Sequence, residues 1–152
     1  MSGNQFKILI ADDNPQGAEL LEAYLADTDF LVKTAGDGEK TLKIVSEWNP
    51  DLILLDIMMP RMSGFEVCKR LRSNAETKTI PVIMVTALDQ LADVERAVDA
   101  GTDDFISKPI KQNELLLRIN ALLKARHSAN DLARTLTYLE ALQQSGIQSP
   151  AR

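Results

Sequence analysis

Five residues whose side chains bind metal ions or phosphate stand at the ends of strand-like segments in this sequence. Asp12, Asp13 and Asp56 are acids, Thr86 carries a hydroxyl and Lys108 an ammonium group. Continuous apolar runs are typical of strands buried on both faces of a parallel sheet, and ligands of such sheets bind beyond the carboxyl ends of the strands. We therefore expect the five side chains to converge in one crevice.

The types of these side chains indicate which ligands the crevice takes. Three carboxylates in one place repel each other, and a divalent cation would relieve that repulsion. Oxygen ligands without a nearby histidine or cysteine favour Mg²⁺ over zinc. Lys108 is a compact cation that suits a phosphoryl oxygen, and the Thr86 hydroxyl is able to donate a hydrogen bond to the same group. The set predicts a phosphorylation switch.

The segments that position these residues alternate between strand and helix about five times along the chain. Such alternation predicts an α/β fold with right-handed crossovers, and at this length a flavodoxin-like, doubly wound, five-stranded parallel sheet. Each site residue also has a simpler explanation when taken alone. Asp13, for example, could cap the helix that begins near Pro15. The combination carries more weight than any single member.

The chain resembles the receiver domain of two-component response regulators from about Lys7 to Lys124. The resemblance rests on motifs that occur in the family's order: Asp12-Asp13, Asp56 followed by Met59-Pro60 and Gly64, Thr86-Ala87, and Lys108-Pro109. It implies that the protein is a signalling domain that at most catalyses its own phosphorylation and dephosphorylation.

The resemblance assigns a role to each acid. Asp56 is implied to be the phosphoacceptor, which receives its phosphoryl group from a histidine kinase or phosphotransfer protein. Asp12 and Asp13 are implied to hold Mg²⁺ together with Asp56 and the main-chain carbonyl of Met58. A carboxylate is a poor nucleophile until it is positioned and its charge is neutralised, so electrostatics would carry the reaction.

The resemblance also implies how the switch would work. Lys108 and Thr86 would contact the phosphoryl group, and Thr86 would move toward it and open space for the ring of Phe105. The alternative for Phe105 is simple core packing. The bond between Lys108 and Pro109 is implied to be cis.

Two other functions use similar residues. A phosphohydrolase of the haloacid dehalogenase kind also has an aspartate nucleophile and Mg²⁺, but that family places a second aspartate where this chain has Met58. A receiver-like module that is never phosphorylated is the other alternative. It is disfavoured because every residue of the motif is present.

Composition excludes several classes of protein. A chain of 152 residues with 45% hydrophobic residues suits one α/β domain with an appendage. A formal net charge of -5 argues against direct binding of nucleic acid. No apolar stretch approaches the roughly 20 residues that cross a bilayer, and the N-terminus lacks a signal-peptide pattern, so we expect a cytoplasmic protein without membrane attachment.

The C-terminal region has a different pattern. Helix-forming residues continue from Asn113 to Gln144, with Leu132, Leu136 and Leu139 in a heptad-like seam. We expect a domain over residues 1–126, a helical extension and linker tail over residues 127–152, and a parallel homodimer through the extended helix. The alternative is a helix that folds back on the domain. A possible output domain would lie outside this chain.

Overall fold

The computed structural model describes residues 5–87, 91–126 and 131–145. These residues form five strands and six helices, and none of these helices is long and apolar enough to cross a membrane. The elements in chain order are β1 (Lys7–Ala11), α1 (Pro15–Leu25), β2 (Leu31–Ala35), α2 (Gly38–Trp48), β3 (Leu52–Asp56), α3 (Gly64–Arg72), β4 (Val82–Thr86), α4 (Leu91–Ala100), β5 (Asp104–Ser107), α5 (Gln112–Arg126) and α6 (Asp131–Ser145).

The strands form one parallel sheet in the order β2-β1-β3-β4-β5. This is the flavodoxin-like, doubly wound arrangement, so the predicted fold class is confirmed. The order reverses between β1 and β3, and the point of reversal is where such sheets leave a crevice beyond the strand ends. The residues that end β1 and β3 therefore face the same opening.

Two apolar clusters cover the two faces of the sheet. Leu9 and Ala11 belong to the cluster under α2, α3 and α4, whereas Ile8 and Ile10 belong to the cluster under α1 and α5. Successive side chains of a strand point to opposite faces, which explains the alternation. Both faces of the central strands are therefore buried, and the residues that follow these strands start from a packed sheet.

The prediction of a single helix over Asn113–Gln144 is wrong. The structure has two helices, and Arg118 of α5 and Tyr138 of α6 both hydrogen-bond to the carboxylate of Asp104. In one straight helix these two residues would lie about 30 Å apart. The helices are therefore antiparallel neighbours, and α6 packs back on the domain.

The folded-back α6 buries part of the seam that the heptad pattern assigned to a dimer. Tyr138 packs against the cluster under α1 and α5, and Leu142 is 1% exposed. Leu136 is 53% exposed, Leu139 is half-buried, and the side chain of Leu132 lies outside the part of the chain that is described. The exposed stripe of leucines from which a parallel coiled coil was predicted is therefore incomplete.

Candidate functional site

Three carboxylates meet where β1 and β3 end. Asp12 and Asp13 follow β1, Asp56 is the last residue of β3, and their ligand oxygens lie within 4.8 Å of one another. Asp12 is 4% exposed and Asp56 is 5% exposed, whereas Asp13 is open to solvent. The strand-end rule thus located the acids correctly.

Lys108 reaches the same cluster from the end of β5. Its Nζ lies 3.0 Å from Asp56 Oδ2 and 3.8 Å from Asp12 Oδ2. Burial disfavours the charged ammonium, but the hydrogen bond and the negative charge of Asp56 outweigh it, so the pKa of Lys108 is raised. A protonated lysine therefore contacts two of the acids. The Lys108–Pro109 peptide bond is cis, and Lys108 N donates to the carbonyl oxygen of Thr86 over 2.7 Å.

The two oxygens of Asp12 differ in their hydrogen bonds. Its Oδ1 accepts from Asn14 N over 2.9 Å, but its buried Oδ2 has no hydrogen-bond partner among the described residues. Burial raises the pKa of Asp12, and the negative charge of Asp56 raises it further. An unsatisfied carboxylate oxygen beside two other acids fits a hard divalent cation, which would supply the missing contact.

The turn after β1 leaves Asp13 available to the site. The residue that caps α1 is Asn14, whose side chain accepts from Gln16 N over 2.9 Å, so the alternative role of Asp13 as a helix cap is not realised. Pro15 begins the helix, a position where its missing N–H costs nothing. The Asp13 carboxylate therefore has no part in capping α1.

Two glycines provide space for the acids. A Cβ at Gly17 would lie 2.4 Å from Asp12 Oδ2, and one at Gly64 would lie 2.3 Å from the main-chain oxygen of Asp56. Gly64 belonged to the sequence motif, but sequence reasoning missed Gly17. Its signal was available, since a glycine inside a helix is unfavourable unless close packing requires it.

The remaining predicted site residues surround the cluster. Thr86 is fully buried at the end of β4. Phe105 is half-buried against the apolar cluster under α2, α3 and α4. Met58 is 62% exposed, and its N–H donates to Asp56 Oδ1 over 3.0 Å. Leu88, a second position that we expect to flank the site, lies outside the described residues.

A parallel sheet with an acidic crevice at its point of reversal defines a class of small α/β domains. The comparison with protein families shows which family of this class the chain matches. The family model described as the response regulator receiver domain matches residues 8–120. The chain therefore belongs to the receiver domain family of response regulators.

Curated relatives include transcriptional regulators. The chain is 42% identical over 118 residues to the DNA-binding dual master transcriptional regulator RpaA of Synechocystis, covering 78% of this chain and 49% of the relative. It is 40% identical over 118 residues to the DNA-binding response regulator MtrA of Mycolicibacterium smegmatis, covering 78% of this chain and 50% of the relative. This chain thus spans about half the length of these relatives.

Solved structures share the fold. A response regulator from Chloroflexus aurantiacus aligns with a TM-score of 0.77 and 32% identity, covering 80% of this chain and 99% of that one. The receiver domain of a histidine kinase from Syntrophus aciditrophicus aligns with a TM-score of 0.76 and 35% identity, covering 83% of this chain and 96% of that one. Most of this chain is therefore a complete receiver fold.

Replacing Asp12 by asparagine is expected to stabilise the metal-free protein. Because the pKa of Asp12 is raised in the folded state, its ionisation opposes folding above the pKa of an unfolded aspartate, and a neutral side chain removes that cost. We expect the melting temperature at pH 7 in chelator to rise by about 2–4 °C, which corresponds to roughly 1 kcal/mol. Differential scanning calorimetry measures it.

The same variant should lose its response to Mg²⁺. At 100 times the dissociation constant a ligand stabilises the folded state by about 2.7 kcal/mol, and Asp12→Asn should show little of this gain. Asp13→Asn is the matched control, because Asp13 is exposed and should lose the Mg²⁺ response without the metal-free gain. An Asp12→Asn protein that is less stable than wild type in chelator would contradict the account.

Proposed function

We propose that this receiver domain accepts a phosphoryl group on Asp56 from a histidine kinase or phosphotransfer protein. The observation that carries the proposal is the buried Asp56 carboxylate, which lies within 4.8 Å of two further acids and 3.0 Å from Lys108. Membership of the receiver family supports it. Incubation with Mg²⁺ and acetyl phosphate tests the proposal directly, since transfer would leave a covalent adduct on Asp56.

In this reaction an Asp56 oxygen attacks the phosphorus atom, and the bond from phosphorus to the donor nitrogen of phosphohistidine breaks. Asp12, Asp13, Asp56 and the main-chain carbonyl of Met58 would hold Mg²⁺, which when bound neutralises charge on the acids and the phosphoryl oxygens. Lys108 already pairs with Asp56 and would turn to a phosphoryl oxygen as negative charge accumulates there. Positioning and charge are thus the protein's main contributions.

The change that follows phosphorylation would pass through the last two strands. The buried Thr86 hydroxyl would donate to the phosphoryl group, and the half-buried ring of Phe105 would turn into the space that Thr86 leaves. Thr86 and Ser107 are paired across β4 and β5, and Met84 is paired with Phe105, so a shift at one strand end is transmitted to its neighbour. The surface near α4 and β5 would then differ between the two states.

We further propose that the domain acts on an output module outside this sequence. The chain spans about half the length of RpaA and MtrA, whose names describe DNA-binding regulators. Contact with nucleic acid would fall to that other module, because this chain has a net charge of -5.

The haloacid dehalogenase alternative has little support in the structure. The position two residues after Asp56 is the exposed, apolar Met58, which cannot act as the acid or base of a hydrolase. Repeated turnover of a phosphoester with no stable adduct on Asp56 would favour that enzyme instead.

The phosphorylated form is expected to lose its phosphoryl group slowly. Met58 lies next to Asp56 and cannot orient an attacking water molecule, so replacing it with asparagine should speed hydrolysis by at least about tenfold. Release of inorganic phosphate from purified phosphoprotein measures the rate. Met58→Leu, which stays apolar, is the control and should hydrolyse like wild type; an unchanged rate in Met58→Asn would count against this role.

A further inference from the structure

Helix α6 is packed as part of the core although it lies beyond the stretch that defines the family, which ends at residue 120. Its Tyr138 hydroxyl donates to Asp104 Oδ2, and Arg118 Nη1 donates to both oxygens of the same carboxylate over 2.8 and 2.9 Å. Asp104 and Leu142 are each 1% exposed. The place that α6 occupies on α5 and β5 is therefore a specific binding surface for this helix.

The segment that connects the two helices is short and contains no glycine. Residues 112–145 contain no glycine and no proline, and the four residues between α5 and α6 are His127, Ser128, Ala129 and Asn130. Helices that reverse direction commonly end at a glycine, because it tolerates the left-handed conformation. A short connection without such a glycine is the kind of hinge at which a terminal element exchanges between copies.

We propose that α6 exchanges between two copies of this chain. In the exchanged form α5 and α6 join into one helix of about 50 Å, and α6 of each copy occupies the α5–β5 surface of the other. Tyr138 of one copy then donates to Asp104 of the other, and Leu142 is buried as before. The described contacts of α6 with α5 and β5 are kept, and the two helices become continuous in both chains.

The geometry of the exchanged dimer follows from the monomer. Because α6 is antiparallel to α5, the two continuous helices of the dimer are antiparallel, with the twofold axis near residues 128 and 129. This differs from the parallel coiled coil that the heptad pattern suggested. The exchanged dimer needs no phosphoryl group, so its formation does not depend on the role of Asp56.

The test changes helix propensity only at the junction. Ser128→Ala/Asn130→Ala should favour the continuous helix, and Ser128→Gly/Asn130→Gly should favour the reversal. The equilibrium constant for helix formation is about fourfold to fivefold larger for alanine than for glycine at each residue, and two residues change in each of the two chains. We expect the alanine pair to have a dimer dissociation constant at least about a hundredfold lower than the glycine pair, with wild type between them, by sedimentation equilibrium.

A matched control and a cross-link complete the experiment. Gln143→Ala and Gln143→Gly differ by the same propensity per residue, at one exposed position of α6 outside the junction, and should dimerise alike. In the antiparallel dimer the two copies of Leu136 lie roughly 24 Å apart, so Leu136→Cys should not form an intermolecular disulfide. Equal dissociation constants for the two junction pairs, monomers throughout, or an efficient Leu136→Cys cross-link would each overturn the proposal.

Discussion

Phosphoryl transfer from acetyl phosphate is expected to slow by about 10²–10³-fold when Lys108 is replaced by alanine. Lys108 is the cation that contacts both Asp56 and Asp12, and its raised pKa keeps it charged at neutral pH. Its removal leaves the negative charge that develops on the phosphoryl group without this partner. The initial rate of incorporation of radiolabelled phosphate at saturating Mg²⁺ measures the effect.

Lys111→Ala is the control for this prediction, because Lys111 is exposed, three residues further along the chain. It lowers the net charge by the same amount and should leave the rate within about twofold of wild type, as exposed charges are largely screened. Equal losses in the two variants would show that Lys108 acts only through the overall charge. A Lys108→Ala protein that labels at the wild-type rate would remove Lys108 from the reaction altogether.

Replacing Asp104 by alanine is expected to destabilise the fold by about 3–5 kcal/mol. Arg118 is buried, and its guanidinium donates to both oxygens of Asp104, so the substitution leaves a buried charge without its main partner. It also removes the acceptor of the Tyr138 hydroxyl, whose pKa is raised chiefly by burial, so the hydroxyl stays a donor. Urea unfolding monitored by circular dichroism gives the change in free energy of unfolding.

Glu114→Ala is the matched control, because Glu114 pairs with the same arginine over 3.1 Å but its side chain is partly exposed. Such a pair contributes about 0–1 kcal/mol. A loss from Asp104→Ala that is no larger than the loss from Glu114→Ala would show that α5, α6 and β5 are held together mainly by apolar contacts.

The site was largely predictable because its geometry follows from the strands. Asp12, Asp56 and Thr86 each end or directly follow an apolar run, and parallel strands bring their carboxyl ends to one edge of the sheet. The position of a residue at the end of a strand therefore fixes the location of its backbone, and the type of its side chain indicates which ligand it binds. A glycine inside a helix indicated a close contact at Gly17, but the periodicity of apolar residues did not identify Asp12, across a turn, as the residue contacted.

The course of α6 was not predictable in the same way. A helix that packs on its own domain and a helix that pairs with a second copy need the same spacing of apolar residues. What separates them is a tertiary contact, the hydrogen bond of Tyr138 to a carboxylate that lies 34 positions earlier in the chain. The leucine spacing was read correctly as helical, but it did not specify the surface that covers the leucines.

The central claim is that Asp56 carries the phosphoryl group, and peptide mapping tests it most directly. The chain is incubated with Mg²⁺ and acetyl phosphate, and the acyl phosphate is reduced with borohydride so that the modified residue keeps a stable mass change. We predict modification at Asp56 alone, none in chelator and none in Asp56→Asn. Modification of another residue in the wild-type chain, or labelling that persists in Asp56→Asn at the wild-type rate, would contradict the account.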